Sequence, residues 1–195
     1  MGMLKCLGIT CVTLKVLGLL SSLVALGIPY WYVGDTTTTA GLTGDVKTTI
    51  REGLWKKCTD LESPSKSSSF CVGNDVTDVI TAIRWLMFVG AGIHGIAVLA
   101  AGAAHMEKNS TAFIVAAVHG MISATLHTIS AALYATVVRD DIGFELKHLF
   151  IGWGLVFVCI VFTILSTSLA FILARMCNKK TVEDSSNDGD DGKGK

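Results

Sequence analysis

Four long apolar segments constrain what this chain can become. They run from about Leu7 to Ile28, Val79 to Ala104, Thr111 to Val138 and Leu149 to Ala174. A helix of about 20 residues crosses the roughly 30 Å of hydrocarbon in a bilayer. The sequence therefore predicts an all-α membrane protein, a bundle of four transmembrane helices. Composition agrees: 51% of residues are hydrophobic and 16% charged, against about 25% charged in a soluble domain. Net charge is +0 and no basic tract occurs, which argues against a nucleic-acid partner. Ala25-Leu26-Gly27 loosely resembles a signal-peptide cleavage site, but Lys15 interrupts the apolar run that such a peptide needs. The first segment is read as a retained helix.

Four spans put both termini on one side. Lys5, Lys15, Lys108, Arg175, Lys179 and Lys180 lie near one set of helix ends, and Lys47, Arg51, Lys56, Lys57, Lys66, Arg84, Arg139 and Lys147 near the other. That distribution orients the chain only weakly. Cysteines orient it better. Cys58 and Cys71 sit among Asp, Lys, Ser and Thr between the first two spans, at a spacing suited to a disulfide. Such a bond persists where the environment is oxidising, and closing this loop would stabilise it by roughly 3 kcal/mol. The loop of about 30–78 and a second, short one of about 139–148 are therefore placed outside the cell, with both termini cytosolic. Cys6, Cys11 and Cys177 fall near the cytosolic face and Cys159 within the fourth span. All four read most simply as small apolar residues, with Cys177 and Cys6 as candidates for S-palmitoylation. The start of the chain lacks the Ser or Thr of a myristoylation signal.

Pro29 and Tyr30-Trp31-Tyr32 end the first span with the aromatic cluster expected at an interface. Lys15 either marks a later start to that span or snorkels to the cytosolic surface, with a buried functional lysine as the third option. Gly34–Thr49 reads as loop, Val46–Arg51 as strand-like, and Leu54-Trp55 and Phe70–Val72 as further short strands. Glu62–Ser69 carries turn chemistry. Together these predict a small antiparallel sheet stapled by one disulfide. Asn109-Ser110-Thr111 matches a glycosylation sequon, an accidental match in a cytosolic turn. The third span carries Ala116, Gly120, Ala124, Thr128 and Ala132, and the second Gly90, Gly92 and Gly95. These small residues predict close helix packing inside the bundle, or alternatively a homodimer seam. Arg175–Lys180 forms a basic stop at the cytosolic leaflet. Residues 1–178 make up the membrane domain, and 179–195 are expected to be a disordered cytosolic tail, rich in Asp, Gly and Ser.

Trp31, then Gly53-Leu54-Trp55, then Cys58 and Cys71 resemble the W–GLW–C–C pattern in the first extracellular loop of the claudin superfamily. That superfamily includes the epithelial membrane proteins, peripheral myelin protein and the calcium-channel gamma subunits. Arg84 is similar to the arginine those proteins carry before the second span. Phe144-Glu145 and Phe150-Ile151-Gly152-Trp153 resemble the second loop and the start of the fourth helix. The resemblance covers the transmembrane region but not the tail. It implies a left-handed four-helix bundle topped by an extracellular sheet, with Trp31, Gly53, Leu54, Trp55, Arg84, Gly152 and Trp153 as structural positions. The chain departs from claudins in a shorter stretch from Cys71 to Arg84, a shorter second loop and no cysteine after the second span. It also ends Asp191-Gly192-Lys193-Gly194-Lys195, which offers no C-terminal PDZ ligand.

His94, His119 and His127 fall within spans, where helix–helix hydrogen bonding outweighs proton or metal chemistry because no carboxylate accompanies them. No catalytic constellation, metal site or cofactor motif is present. The first-loop charges are mixed in sign: a solvated surface, or, by resemblance, the lining of a paracellular ion path. The resemblance implies a protein of the plasma membrane at cell–cell junctions. Its partners would be copies of itself in the same and the opposing membrane, other claudin-like chains and the lipid bilayer. The alternatives are an auxiliary subunit of an ion channel or receptor, or a membrane organiser like the epithelial membrane proteins.

Overall fold

Inside a bilayer every backbone polar group must be satisfied within the chain, and an isolated apolar segment does that only as a helix. The computed structural model describes residues 2–28, 30–40, 44–63, 66–73, 78–142 and 151–187. It contains α1 (Gly2–Gly27), α2 (Asp78–Glu107), α3 (Ser110–Ile142) and α4 (Ile151–Asn187), joined between α1 and α2 by strands β1 (Tyr32–Ala40), β2 (Gly44–Glu52), β3 (Lys56–Ser63) and β4 (Lys66–Gly73). All four helices are long and apolar enough to cross a membrane. The chain is thus a multi-pass membrane protein, with the bundle-plus-sheet architecture that the sequence predicts. α1 packs chiefly on α4, α4 on α3 and α3 on α2, while α1 and α2 meet along a looser seam.

The helices outrun the apolar blocks. α3 continues to Ile142, into the stretch expected to be the second loop, and α4 continues to Asn187, into the stretch expected to be a disordered tail. Extending an existing helix needs no new nucleus, so weakly helical residues can follow it. Residues 143–150 and 188–195, which hold Phe144-Glu145, Phe150 and the chain end, lie outside the described residues.

The α2–α3 turn also reads differently from its sequence. Lys108 takes φ 55°, the left-handed conformation that often ends a helix. Asn109 Oδ1 then accepts the backbone N–H groups of Thr111 (2.9 Å) and Ala112 (3.4 Å). The apparent sequon is an N-cap.

The sheet is an antiparallel meander in the order β1-β2-β3-β4. β1 lies in the Thr-rich stretch read as loop, where β-branched threonines suit a pleated strand. Leu54 and Trp55, expected in a strand, instead form the turn between β2 and β3, closed by the Gly53 N–H on Lys56 O (2.9 Å). Of the stretch Glu62–Ser69 read as turn, Glu62, Ser63 and Lys66–Ser69 are in strands instead. Tyr32, Ile50, Leu61, Phe70 and Val72 share one face, and Asp35, Lys47, Arg51, Asp60 and the two cysteines the other.

Two apolar cores fill the bundle ends. Beneath the sheet, Trp31, Leu54, Ile83, Met87, Tyr134 and Val156 pack together. At the far end Cys11, Phe113, Ala117, Ala170 and Leu173 do so. Between the cores lies a polar layer.

Candidate functional site

The base of the sheet is tied to the helix ends by side chains the sequence singles out. Trp31 is fully buried. Its indole N–H donates to Ala25 O at the end of α1 (2.6 Å), and its ring meets Tyr134 of α3 edge-on at 4.8 Å. The ring lies directly on Gly152 of α4: a Cβ there would sit 2.5 Å from Trp31 Cδ1. The Gly152 N–H donates to Tyr30 O (2.8 Å). A buried Trp both fills volume and needs an acceptor for its N–H, and these contacts with α1, α3 and α4 supply both.

The second anchor is the Gly53-Leu54-Trp55 turn. Leu54 is fully buried, and its carbonyl accepts both Nε (2.8 Å) and Nη2 (2.6 Å) of Arg84 from α2. Trp55 donates to Leu26 O (2.7 Å), satisfying an orphan carbonyl at the end of α1. The Arg84 guanidinium lies over the Trp55 ring, 4.8 Å from its centroid, a cation–π contact. Trp153 belongs to the same region but ties α4 to α3, donating to Ala131 O (3.2 Å). Thus Trp31, Leu54, Trp55, Arg84, Gly152 and Trp153 surround one junction between sheet and bundle. Cys58 and Cys71 lie above it as cross-strand partners joined by a disulfide.

Charge on the sheet is largely spent across strands. Asp35 pairs with Lys47 (3.6 Å), Glu52 with Lys57 (3.6 Å), and Arg51 with Asp60. A hydrogen bond from Ser69, together with the hydrogen bond and charge of Arg51, outweighs burial and holds the Asp60 carboxyl below the usual range. Burial, then the charge of Glu52, raises the Tyr32 phenol, which stays protonated. β4 is exposed along its whole length, with Phe70 (53%) and Val72 (52%) side by side on one face.

Midway down the bundle the structure corrects the reading of Lys15. It neither snorkels nor marks the start of a span; it is fully buried, and its ammonium donates to Ala116 O on α3 (3.2 Å). His94 Nε2–H donates to Lys15 O (3.0 Å). His127 Nδ1–H donates to Ser123 O on its own helix (2.8 Å), leaving Nε2 to accept the Ser22 hydroxyl of α1 (2.6 Å). Each carbonyl can only accept, which fixes these tautomers. His119 donates to Val115 O of its own helix (2.9 Å) and, among the described residues, bonds to no other helix. These three side chains each lie against a glycine of a neighbouring helix: His94 on Gly18, His127 on Gly90, Lys15 on Gly120.

The small-residue row on α3 is only half as expected. Ala116 and Gly120 are buried, Ala124 is part-buried, and Thr128 and Ala132 are exposed. A four-residue step overshoots a helical turn by about 40°, so the row winds out of the interior. Gly92 and Gly95 also face away, with nothing within 4 Å of a Cβ. At the end away from the sheet, Cys6 is exposed and Cys177 is part-buried against the lower core. Among the described residues no cluster of His, Cys, Asp or Glu could hold a metal ion.

No family model and no curated protein matches this chain. Its chemistry must be read from its own geometry. What that geometry offers is a sheet, stapled by a disulfide and bolted to a bundle, with β4 at one end of the strand order exposed along its whole length.

Proposed function

We propose that this chain is a claudin-like integral membrane protein of cell–cell junctions. Its sheet faces the extracellular space and associates with copies in the same and the opposing membrane, sealing or gating the space between cells. One observation carries the reading: the sheet is anchored at its base by Trp31, Trp55 and Arg84, yet β4 is left uncovered, with Phe70 and Val72 exposed. An exposed strand with apolar side chains is a template for pairing with another chain, and a rigid anchor keeps the loss of freedom on association small. On this reading both termini lie in the cytosol, across the membrane from that contact.

Expression in cells that lack adhesion proteins tests the proposal. Freeze-fracture strands, enrichment at contacts and raised transepithelial resistance are expected, and their joint absence would sink it. Purification in mild detergent provides a second arm. Self-polymers favour this function, whereas a stoichiometric pore-forming partner would favour a channel auxiliary subunit.

A further inference from the structure

Beside the junction, the looser seam between α1 and α2 opens into a groove of about 490 Å³ lined by Leu23, Leu26, Trp55, Phe88, Gly92 and Gly95. We propose that it binds a phospholipid from the leaflet on the sheet side, with the phosphate on Arg84 and one acyl chain in the groove.

The placement follows from one helix face. Arg84, Phe88, Gly92 and Gly95 recur at the three- and four-residue spacing that stacks side chains along α2. From Arg84 to Gly95 the helix descends roughly 16 Å at about 1.5 Å per residue, a run that fits an acyl chain lying along the axis. The two glycines hollow the face, since a Cβ on either would meet nothing within 4 Å.

Charge identifies the occupant. Arg84 spends Nε and Nη2 on Leu54 O and pairs with no carboxylate among the described residues. A guanidinium retains a further N–H edge, and phosphate is the anion that suits its fork. Trp55, over whose ring it lies, and Trp85, the next residue on α2, are both substantially exposed and place it at headgroup depth, where amphipathic rings settle. A partner helix would have to bring an acidic side chain to that level. Every phospholipid carries its phosphate there, directly above a chain able to enter an apolar slot.

The test uses the full chain purified in mild detergent, with phosphatidylcholine and a diacylglycerol of identical chains as probes, read by native mass spectrometry. Phosphatidylcholine should be retained by the native protein and bind at least about tenfold more tightly than the diacylglycerol. The double variant Gly92→Leu/Gly95→Leu should lose at least about tenfold in phosphatidylcholine affinity while keeping its thermal midpoint, because both side chains enter open space. Arg84→Gln should weaken phosphatidylcholine alone. Since Arg84 also holds the Leu54 carbonyl, the headgroup comparison on native protein stands in should that variant fail to fold. Equal binding of the two lipids, or undiminished phosphatidylcholine on the groove-filled variant, would overturn the proposal. So would loss of a dimer on filling the groove with lipid retention unchanged, which would assign the groove to a helix.

Discussion

A methyl group on Gly152 would meet the Trp31 ring, 2.5 Å from Cδ1, whereas one on Gly92 would meet nothing. The two glycines therefore predict opposite outcomes. Gly152→Ala should destabilise by about 1–3 kcal/mol, because the buried Trp31 must leave its place against Tyr134 and Ala25 O. Gly92→Ala should stabilise by roughly 0.5–1 kcal/mol, the ordinary gain of alanine in a helix. Thermal unfolding in one detergent, followed by tryptophan fluorescence, compares them directly. Lys15 poses a different question at the same scale. A buried ammonium costs several kcal/mol to desolvate, and one charged hydrogen bond returns about 1.5–3 kcal/mol. Lys15→Met keeps the volume and removes the charge, so the thermal midpoint should hold or rise. A clear fall would show that the ammonium does more than join α1 to Ala116. The sequence located Lys15 within a span but not its orientation, because the side that a helix turns inward is set by its neighbours, in this case Gly120 and Ala116 of α3.

Among the elements, turns and strands store the most local information. Lys108 holds φ 55° with a Cβ, a conformation costing about 1–2 kcal/mol for an L-residue and almost nothing for glycine. Lys108→Gly should therefore raise stability by about 1 kcal/mol in chemical unfolding. In the sheet, Asp60 joins three strands through Arg51 of β2 and Ser69 of β4. Its carboxyl is depressed in the folded protein, so its contribution is complete above the ordinary Asp value of 3.8 and disappears as pH falls through the lower folded value. Asp60→Asn should cost about 0.2–1 kcal/mol at neutral pH, and the difference from the native chain should vanish under strong acid, as read by near-ultraviolet circular dichroism. The apolar blocks made the helices legible, and the two cysteines the staple. β1 was not legible, because a Thr- and Gly-rich run becomes a strand only once β2 lies beside it. The GLW turn was read as strand for a related reason: Leu54 and Trp55 have strand-like side chains, but their role is to reach down to the helix ends.

For the molecule as a whole, the sheet and bundle are held together from one end, and the described contacts of that junction come from residues between Ala25 and Trp153. Truncation after Lys180 should leave membrane insertion and any extracellular self-association unchanged, whereas removing Arg175–Lys180 as well should lower inserted yield, because on the proposed topology this basic stretch meets the anionic cytosolic leaflet. Membrane extraction and contact imaging of both truncations check this. Loss of contact clustering at normal surface level after the shorter truncation would instead make the tail a scaffold-binding element. The order of packing around the bundle also has a temporal meaning. α1 leaves the ribosome first, yet its main neighbour is α4, and the acceptor of its Lys15 ammonium, Ala116 O, lies on α3. Until α3 is made, the earliest span must wait with an ammonium facing lipid or the insertion machinery. The nascent chain is therefore incomplete in a chemical sense as well as in length, and a protein stalled before α3 presents quality control with a charge in the membrane as the mark of an unfinished molecule.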